Sequence, residues 1–159
     1  MSRSGVLPAA GFVVLVLLYA GLSTVWTGSD PGWYAALEKP AWQPPPVVFG
    51  VMWPLNFLAL AVAGVGLSAR AERPIQAWTA LVVFAVSVAA ALAWAYLFYV
   101  PHALGPAALC LAVAAVLTWG LLALAWRAVP WTGLTLVPYA LWMSIATSLS
   151  IGYWQLARR

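Results

Sequence analysis

Charged positions divide this chain more clearly than apolar ones do. None falls within 4–29, 40–69, 74–126 or 128–157. A helix needs about 20 apolar residues to cross roughly 30 Å of hydrocarbon. Three of those windows hold one such helix each. The 74–126 window is long enough for two, and Val100-Pro101-His102-Ala103-Leu104-Gly105-Pro106 breaks it. The pattern predicts an all-α, integral-membrane bundle of five transmembrane helices in a single domain over 1–159, with spans at about 7–26, 47–69, 75–99, 104–127 and 131–156. The first apolar run is about 20 residues long. That is long for the core of a secretory signal, so it reads as the first span.

Composition agrees. The chain is 65% hydrophobic and 6% charged, with a mean hydropathy of +0.97. A soluble domain carries about 25% charged residues, and 6% cannot coat a water-facing surface. The net charge of +4 is scattered. No basic run carries interleaved aromatics, which excludes a nucleic-acid partner. The lone Cys110 sits in an apolar window and reads as a small core residue. Orientation stays open: Arg3, Arg70, Arg73 and Arg127 fall on one side, and Lys39, Arg158 and Arg159 on the other.

One stretch departs from generic membrane helix. Asp30 to Phe57 holds two of the three acidic residues, the single lysine, six of the 12 prolines and three of the 11 tryptophans. Asp30 can cap a short helix at about 31–37 with Pro31 in its first turn. Trp33, Tyr34 and Leu37 would share one side of it. The helix must end before Pro40. Pro40-Ala41-Trp42-Gln43-Pro44-Pro45-Pro46 then reads as stiff and polyproline-like, suited to a fixed lid or to an aromatic anchor at headgroup depth.

The spans carry smaller signals. Pro54 should loosen the start of the second. Asn56 either bonds to a neighbouring helix or faces a cavity. Gly11 and Gly21, Ala59 and Ala63, and Gly64 and Ser68 permit close helix contact. Ala85, Ala89 and Ala93 make a smooth face suited to a helix or subunit contact. His102, the single histidine, reads as a hydrated edge residue; no second ligand is spaced to support a haem axial role. In the last span Tyr139, Trp142, Ala146, Ser150 and Tyr153 form one stripe. Ser144, Thr147 and Ser148 should bond back to their own helix. Leu149, Tyr153 and Arg158 match a loose pattern proposed for cholesterol contact.

No phosphate loop, dinucleotide fingerprint, zinc-protease motif, CxxC or nucleophile elbow is present. No acidic pair lies within a span, which argues against proton-coupled carboxylate transport. What remains is a surplus of Trp and Tyr, whose faces suit flat, apolar, conjugated ligands.

At this point the residues resemble a known family. Trp33-Tyr34, Leu37, Lys39-Pro40, Trp42 and Pro44-Pro45 reproduce W-Y-x-x-L-x-K-P-x-W-x-P-P. With Phe49-Gly50-Val51-Met52-Trp53 and Pro138-Tyr139-x-x-Trp142-x-x-x-Ala146-Thr147, the chain resembles the TspO/MBR family, the tryptophan-rich sensory proteins related to the translocator protein. The resemblance implies a five-helix bundle, commonly a homodimer, with a pocket under loop 27–46 that binds porphyrins, haem-pathway intermediates or cholesterol. It implies a lining of Tyr34, Pro44, Trp53, Trp94, Phe98, Trp142 and Ala146. No cofactor is required; porphyrin or haem would enter as ligand. Ala91, Val47 and Ser150 depart from the family pattern and imply a less polar pocket, which would suit a carotenoid, sterol or other lipid. Three readings follow: a membrane binding or sensory protein for tetrapyrroles or similar planar ligands, a light-dependent porphyrin-degrading enzyme using Trp53 and Trp142, or an accessory subunit of a larger membrane complex.

Overall fold

The computed structural model describes residues 3–159, with side chains from Gly5 onward. The Arg3 side chain, one of the charges weighed for orientation, therefore lies outside the described residues. Six helices form: α1 Arg3–Thr27, α2 Pro31–Ala36, α3 Pro46–Arg70, α4 Pro74–Tyr99, α5 Leu104–Ala128 and α6 Pro130–Leu156. All but α2 are long and apolar enough to span a membrane. In lipid a backbone N–H or C=O has no water to bond, so each crossing segment must satisfy its own, as a helix does. Proline opens α2, α3, α4 and α6, where its missing N–H costs nothing.

The five long helices close into a ring. α1 packs against α3 and α4, α3 against α6, α6 against α5, and α5 against α4. Ring order is not chain order: α3 and α4 are joined by a short turn but flank α1 and barely touch each other. The 28–45 connection lies at the end where α1 finishes, α3 starts, α4 finishes and α6 finishes.

Small residues set the helix spacing. Van der Waals packing, not hydrophobic transfer, drives association between helices in lipid. A Cβ on Gly64 would collide with the Phe12 ring of α1, and one on Gly66 with Trp131 of α6. Phe12 in turn stacks on Phe84 of α4, centroids 5.6 Å apart. Ala80 of α4 and Ala107 and Ala114 of α5 are fully buried. Between α4 and α5, Ser87 Oγ lies 3.2 Å from Thr118 Oγ1, and each hydroxyl also reaches the Ala114 carbonyl. Large apolar side chains such as Leu17, Leu109 and Val116 face outward, where lipid solvates them.

Three expectations need correction. Gly11 does sit close to α4, against Leu81, but Gly21 has no neighbour within 4 Å, so it marks no contact. Pro54 does not loosen α3: the helix begins at Pro46, one residue from the expected start, and continues unbroken through Pro54. The proline ring is exposed, and the residue four before it is Gly50, which presents no side chain to crowd it. The run Pro40–Pro46 is not uniformly extended. The Gln43 N–H donates to the Pro40 carbonyl at 3.0 Å, a turn that folds Trp42 back onto the bundle.

The helix contact made against main-chain atoms gives a direct test. A Cβ on Gly133 would lie 2.7 Å from the backbone N and Cα of Trp126, atoms that cannot rotate aside. Gly133→Ala is expected to cost about 1–3 kcal/mol by overpacking, read as a lower thermal unfolding midpoint in detergent. Gly120→Ala, inside α5 with nothing within 4 Å, is expected not to lower the midpoint and to raise it slightly through helix propensity.

Candidate functional site

The N-terminal loop is held in place from its first residue. Asp30 caps α2 through the Trp33 N–H, at 2.9 Å to Oδ1. Ser29 Oγ donates to the Tyr99 carbonyl at the end of α4, at 3.0 Å. Trp33 then stacks flat on His102, centroids 3.8 Å apart and 9° between planes, and meets Phe98 edge-on. Tyr34 and Leu37 pack in the same cluster, so the shared side expected of α2 is the side that docks. His102 is half-buried in the α4–α5 turn at φ 56°, with Nε2 4.0 Å from Asp30 Oδ2. It is part of the loop's seat, not a free edge residue.

The second half of the loop docks on α6. Trp42 Nε1 donates to Ser148 Oγ at 3.2 Å. The Tyr153 hydroxyl donates to Gln43 Oε1 and pairs with the Tyr34 hydroxyl at 3.4 Å. Gly152 makes the close approach possible: a Cβ there would lie 2.8 Å from Pro40 Cγ and 2.9 Å from Trp42 Cζ2. The loop is thus a fixed lid on the ends of α4 and α6.

Beneath it lies a cavity of about 420 Å³. That falls in the range of small-molecule sites, roughly 300–1,000 Å³. Tyr34, Trp53, Trp94, Phe98, Trp142 and Ala146 all line it. Pro44 does not; the lining proline is Pro46, which opens α3. The proline run turns before Pro44, and only its last member faces inward. Helices α1, α3, α4 and α6 supply the walls, and α5 supplies none.

The tryptophans are positioned by named contacts. Trp53 and Trp142 meet edge to face, centroids 6.4 Å apart at 88°. Phe49 closes on the other side of Trp142, and Phe57 stacks on Trp53. Trp94 Nε1 donates to Ser150 Oγ at 3.1 Å. Ser150, one of the departures noted in the sequence, therefore fixes the orientation of a wall indole. Ala91 lines the cavity without a polar atom, while Val47 is 69% exposed and faces away from it.

Sequence reasoning missed the contribution of α1. Tyr19 lines the cavity and packs edge-on against Trp53 and Phe57. Ser23, Thr24 and Thr27 continue the lining toward the lid, and the exposed Thr24, Thr27 and Lys39 mark the mouth. Tyr19 alone had a signal, as an aromatic hydroxyl inside an otherwise aliphatic run. Ser144 and Ser148 bond back to α6 as expected, at 2.9 and 2.7 Å, but each also accepts an indole N–H, from Trp119 and Trp42.

The sequence model described as TspO/MBR family matches residues 10–155. Protein CrtK of Rhodobacter capsulatus is 31% identical over 129 residues, covering 80% of each chain. The translocator protein of Bos taurus is 31% identical over 160 residues, covering 93% of this chain and 89% of its own. A tryptophan-rich sensory protein of Cereibacter sphaeroides is 31% identical over 121 residues, covering 74% and 72%.

The seat of the lid can be broken at one atom. Gly152→Val places branched carbons against Pro40 and Trp42 and is expected to lift residues 40–45 by about 1–3 kcal/mol of local overpacking. Hydrogen exchange of the Ala41, Trp42 and Gln43 amides should rise by roughly an order of magnitude while α4 and α5 stay protected. Unchanged exchange would mean the lid is not held at Gly152.

Proposed function

The chain belongs to the TspO/MBR family, and from that premise we propose that it is an integral-membrane binding or sensory protein for tetrapyrroles or similar flat, apolar ligands. The observation that carries the reading is the perpendicular Trp53–Trp142 pair in the wall of a lidded cavity. A planar ligand can lie on one indole while its edge meets the other. Aromatic pairs of this kind contribute about 0.5–1.5 kcal/mol beyond the area they bury. The uncharged inner wall, with Lys39 out at the mouth, favours an apolar body over a charged one. The names of the relatives, a translocator and a sensory protein, fit a protein that takes up a small molecule. We extend the reading to a homodimer, for which Ala85, Ala89 and Ala93 leave the outward side of α4 smooth and partly open.

The same indole pair supports the enzymatic reading, since both rings border one ligand space. One titration separates the two. Protoporphyrin IX added in the dark to purified protein in detergent is expected to quench tryptophan emission saturably. Trp53→Ala with Trp142→Ala is expected to weaken binding at least about fivefold, two ring contacts at the magnitude above. Undiminished binding by the double variant would sink the pocket reading. Under illumination, a new product spectrum that disappears in Trp53→Phe or Trp142→Phe would make the protein an enzyme.

A further inference from the structure

Most of the aliphatic hydroxyls that line the cavity are already engaged. On α1, Ser23, Thr24 and Thr27 each donate to the carbonyl three residues earlier. On α6, Ser150 accepts the Trp94 N–H. The lid side differs. Tyr34, Lys39 and Gln43 line the cavity there, Lys39 exposed and the other two half-buried. Lys39 is the single charged residue of the lining. Among the described residues it makes no salt bridge, and Asp30, Glu38 and Glu72 stay outside the lining. Its ammonium offers donors and no acceptor.

Gln43 and Tyr34 add donors on the same side. The Tyr153 hydroxyl gives its one proton to Gln43 Oε1. The Gln43 carboxamide therefore has its acceptor engaged, while its Nε2 hydrogens have no partner among the described residues. The Tyr34 oxygen lies 3.4 Å from that of Tyr153. That is beyond the usual range for an O–H···O bond, so a closer acceptor can take the Tyr34 proton. Both residues meet the same Tyr153 hydroxyl, which puts their donors side by side. Pro40, next to Lys39, packs on Gly152, next to Tyr153, so the lysine stem starts from the same edge. Local structure holds the group: Tyr34 rides on the capped helix α2, and the Gln43 N–H closes the turn to Pro40.

We propose that Lys39, Gln43 and Tyr34 form a sub-site on the lid that takes the carboxylate of a ligand whose flat apolar body lies below it, on Trp53 and Trp142. Donors without a competing carboxylate are the arrangement that suits an anionic oxygen group, and an ionised carboxyl is acceptor-only. An exposed ion pair alone contributes little; here the ammonium acts together with an amide and a phenol. Lys39 lies in the loop, outside the spans, so the carboxylate stays at the mouth and no charge enters the hydrocarbon. The sub-site deepens the reading of the cavity as a site for flat apolar ligands and rests on it. It narrows the class to flat carboxylic acids and gives the bound molecule a direction, acid end toward the lid. The lid thereby recognises the ligand as well as covering it.

The probes are pyrenecarboxylic acid and pyrenecarboxamide, flat fluorophores of nearly equal shape that differ in charge at about pH 8, where a carboxyl group is ionised. Energy transfer from tryptophan reads their binding to the full chain in a non-ionic detergent, each corrected for partition into empty micelles. The wild type is expected to prefer the acid by about tenfold, the effect of hydrogen bonds made to a charged group. Lys39→Gln is expected to bring the ratio of the two affinities to within about twofold, and Lys39→Arg to keep most of it. Tyr34→Phe, which retains the ring that packs in the lid cluster, is expected to lower the ratio by about threefold. Because the ratio is taken within each variant, a general change in stability cancels. Equal binding of the two probes by the wild type overturns the sub-site and leaves the cavity reading standing. A preference that survives Lys39→Gln places the carboxylate elsewhere and also overturns it. A ratio unmoved by Tyr34→Phe overturns the three-residue assignment. If neither probe binds saturably, the cavity reading itself falls and takes the sub-site with it.

Discussion

A polar group in the middle of a bilayer has to find its partner within the protein. That constraint runs through the whole structure. It makes every crossing segment a helix. It turns the hydroxyls of Ser68, Thr118, Ser144 and Thr147 back onto carbonyls one turn earlier. It also explains why α6 carries so many small polar residues. Ser144, Ser148 and Ser150 keep hydroxyls available for indoles arriving from α5, from the lid and from α4. In water such bonds would compete with solvent; in hydrocarbon they fix the angle of each ring.

α6 therefore serves as the reference element for the site. One side of it packs on α5, where Gly133 admits the Trp126 backbone. Another presents Trp142 and Ala146 to the cavity. Its far end seats the lid through Ser148, Gly152 and Tyr153. The lid in turn is stiff for a local reason. Prolines restrict it, Asp30 caps its short helix, and the 40–43 turn fixes where Trp42 points. Little ordering entropy is left to lose when such a segment closes a pocket. The cavity beneath can then be shaped by rigid aromatic faces from four helices and the lid.

Against that background the unpartnered groups stand out. A chain that provides a serine for each of three indoles leaves the buried Trp142 N–H and the buried Asn56 carboxamide without a hydrogen-bond partner. Packing alone gives no reason for an asparagine there, since a leucine of similar size would fill the space without desolvating an amide. Ala91, on the α4 wall, offers the cavity no polar atom.

Much of this was legible in the sequence, and the reasons are local. Charge-free windows locate the five spans because hydrocarbon excludes charge whatever the tertiary arrangement. The Asp30–Pro31 pair locates α2 because capping involves only neighbouring residues. The stripe Tyr139, Trp142, Ala146, Ser150 and Tyr153 reads as one face because helical period is fixed, and each of these residues does face inward. Other features depend on which helices become neighbours, and sequence spacing carries no such information. Tyr19 joins the site only because α1 is placed between α3 and α4. Gly21 and Gly11 look alike in the chain, and only the second meets another helix. Pro44 and Pro46 are equally plausible as lid residues until the turn at 40–43 fixes which one faces in. The sequence by itself determined the class, the spans and the lid's local stiffness, since these follow from solvation and short-range geometry. The ring order, the depth of Asn56 and the pairing of each indole were decided by tertiary packing, because they are properties of contacts between segments far apart in the chain.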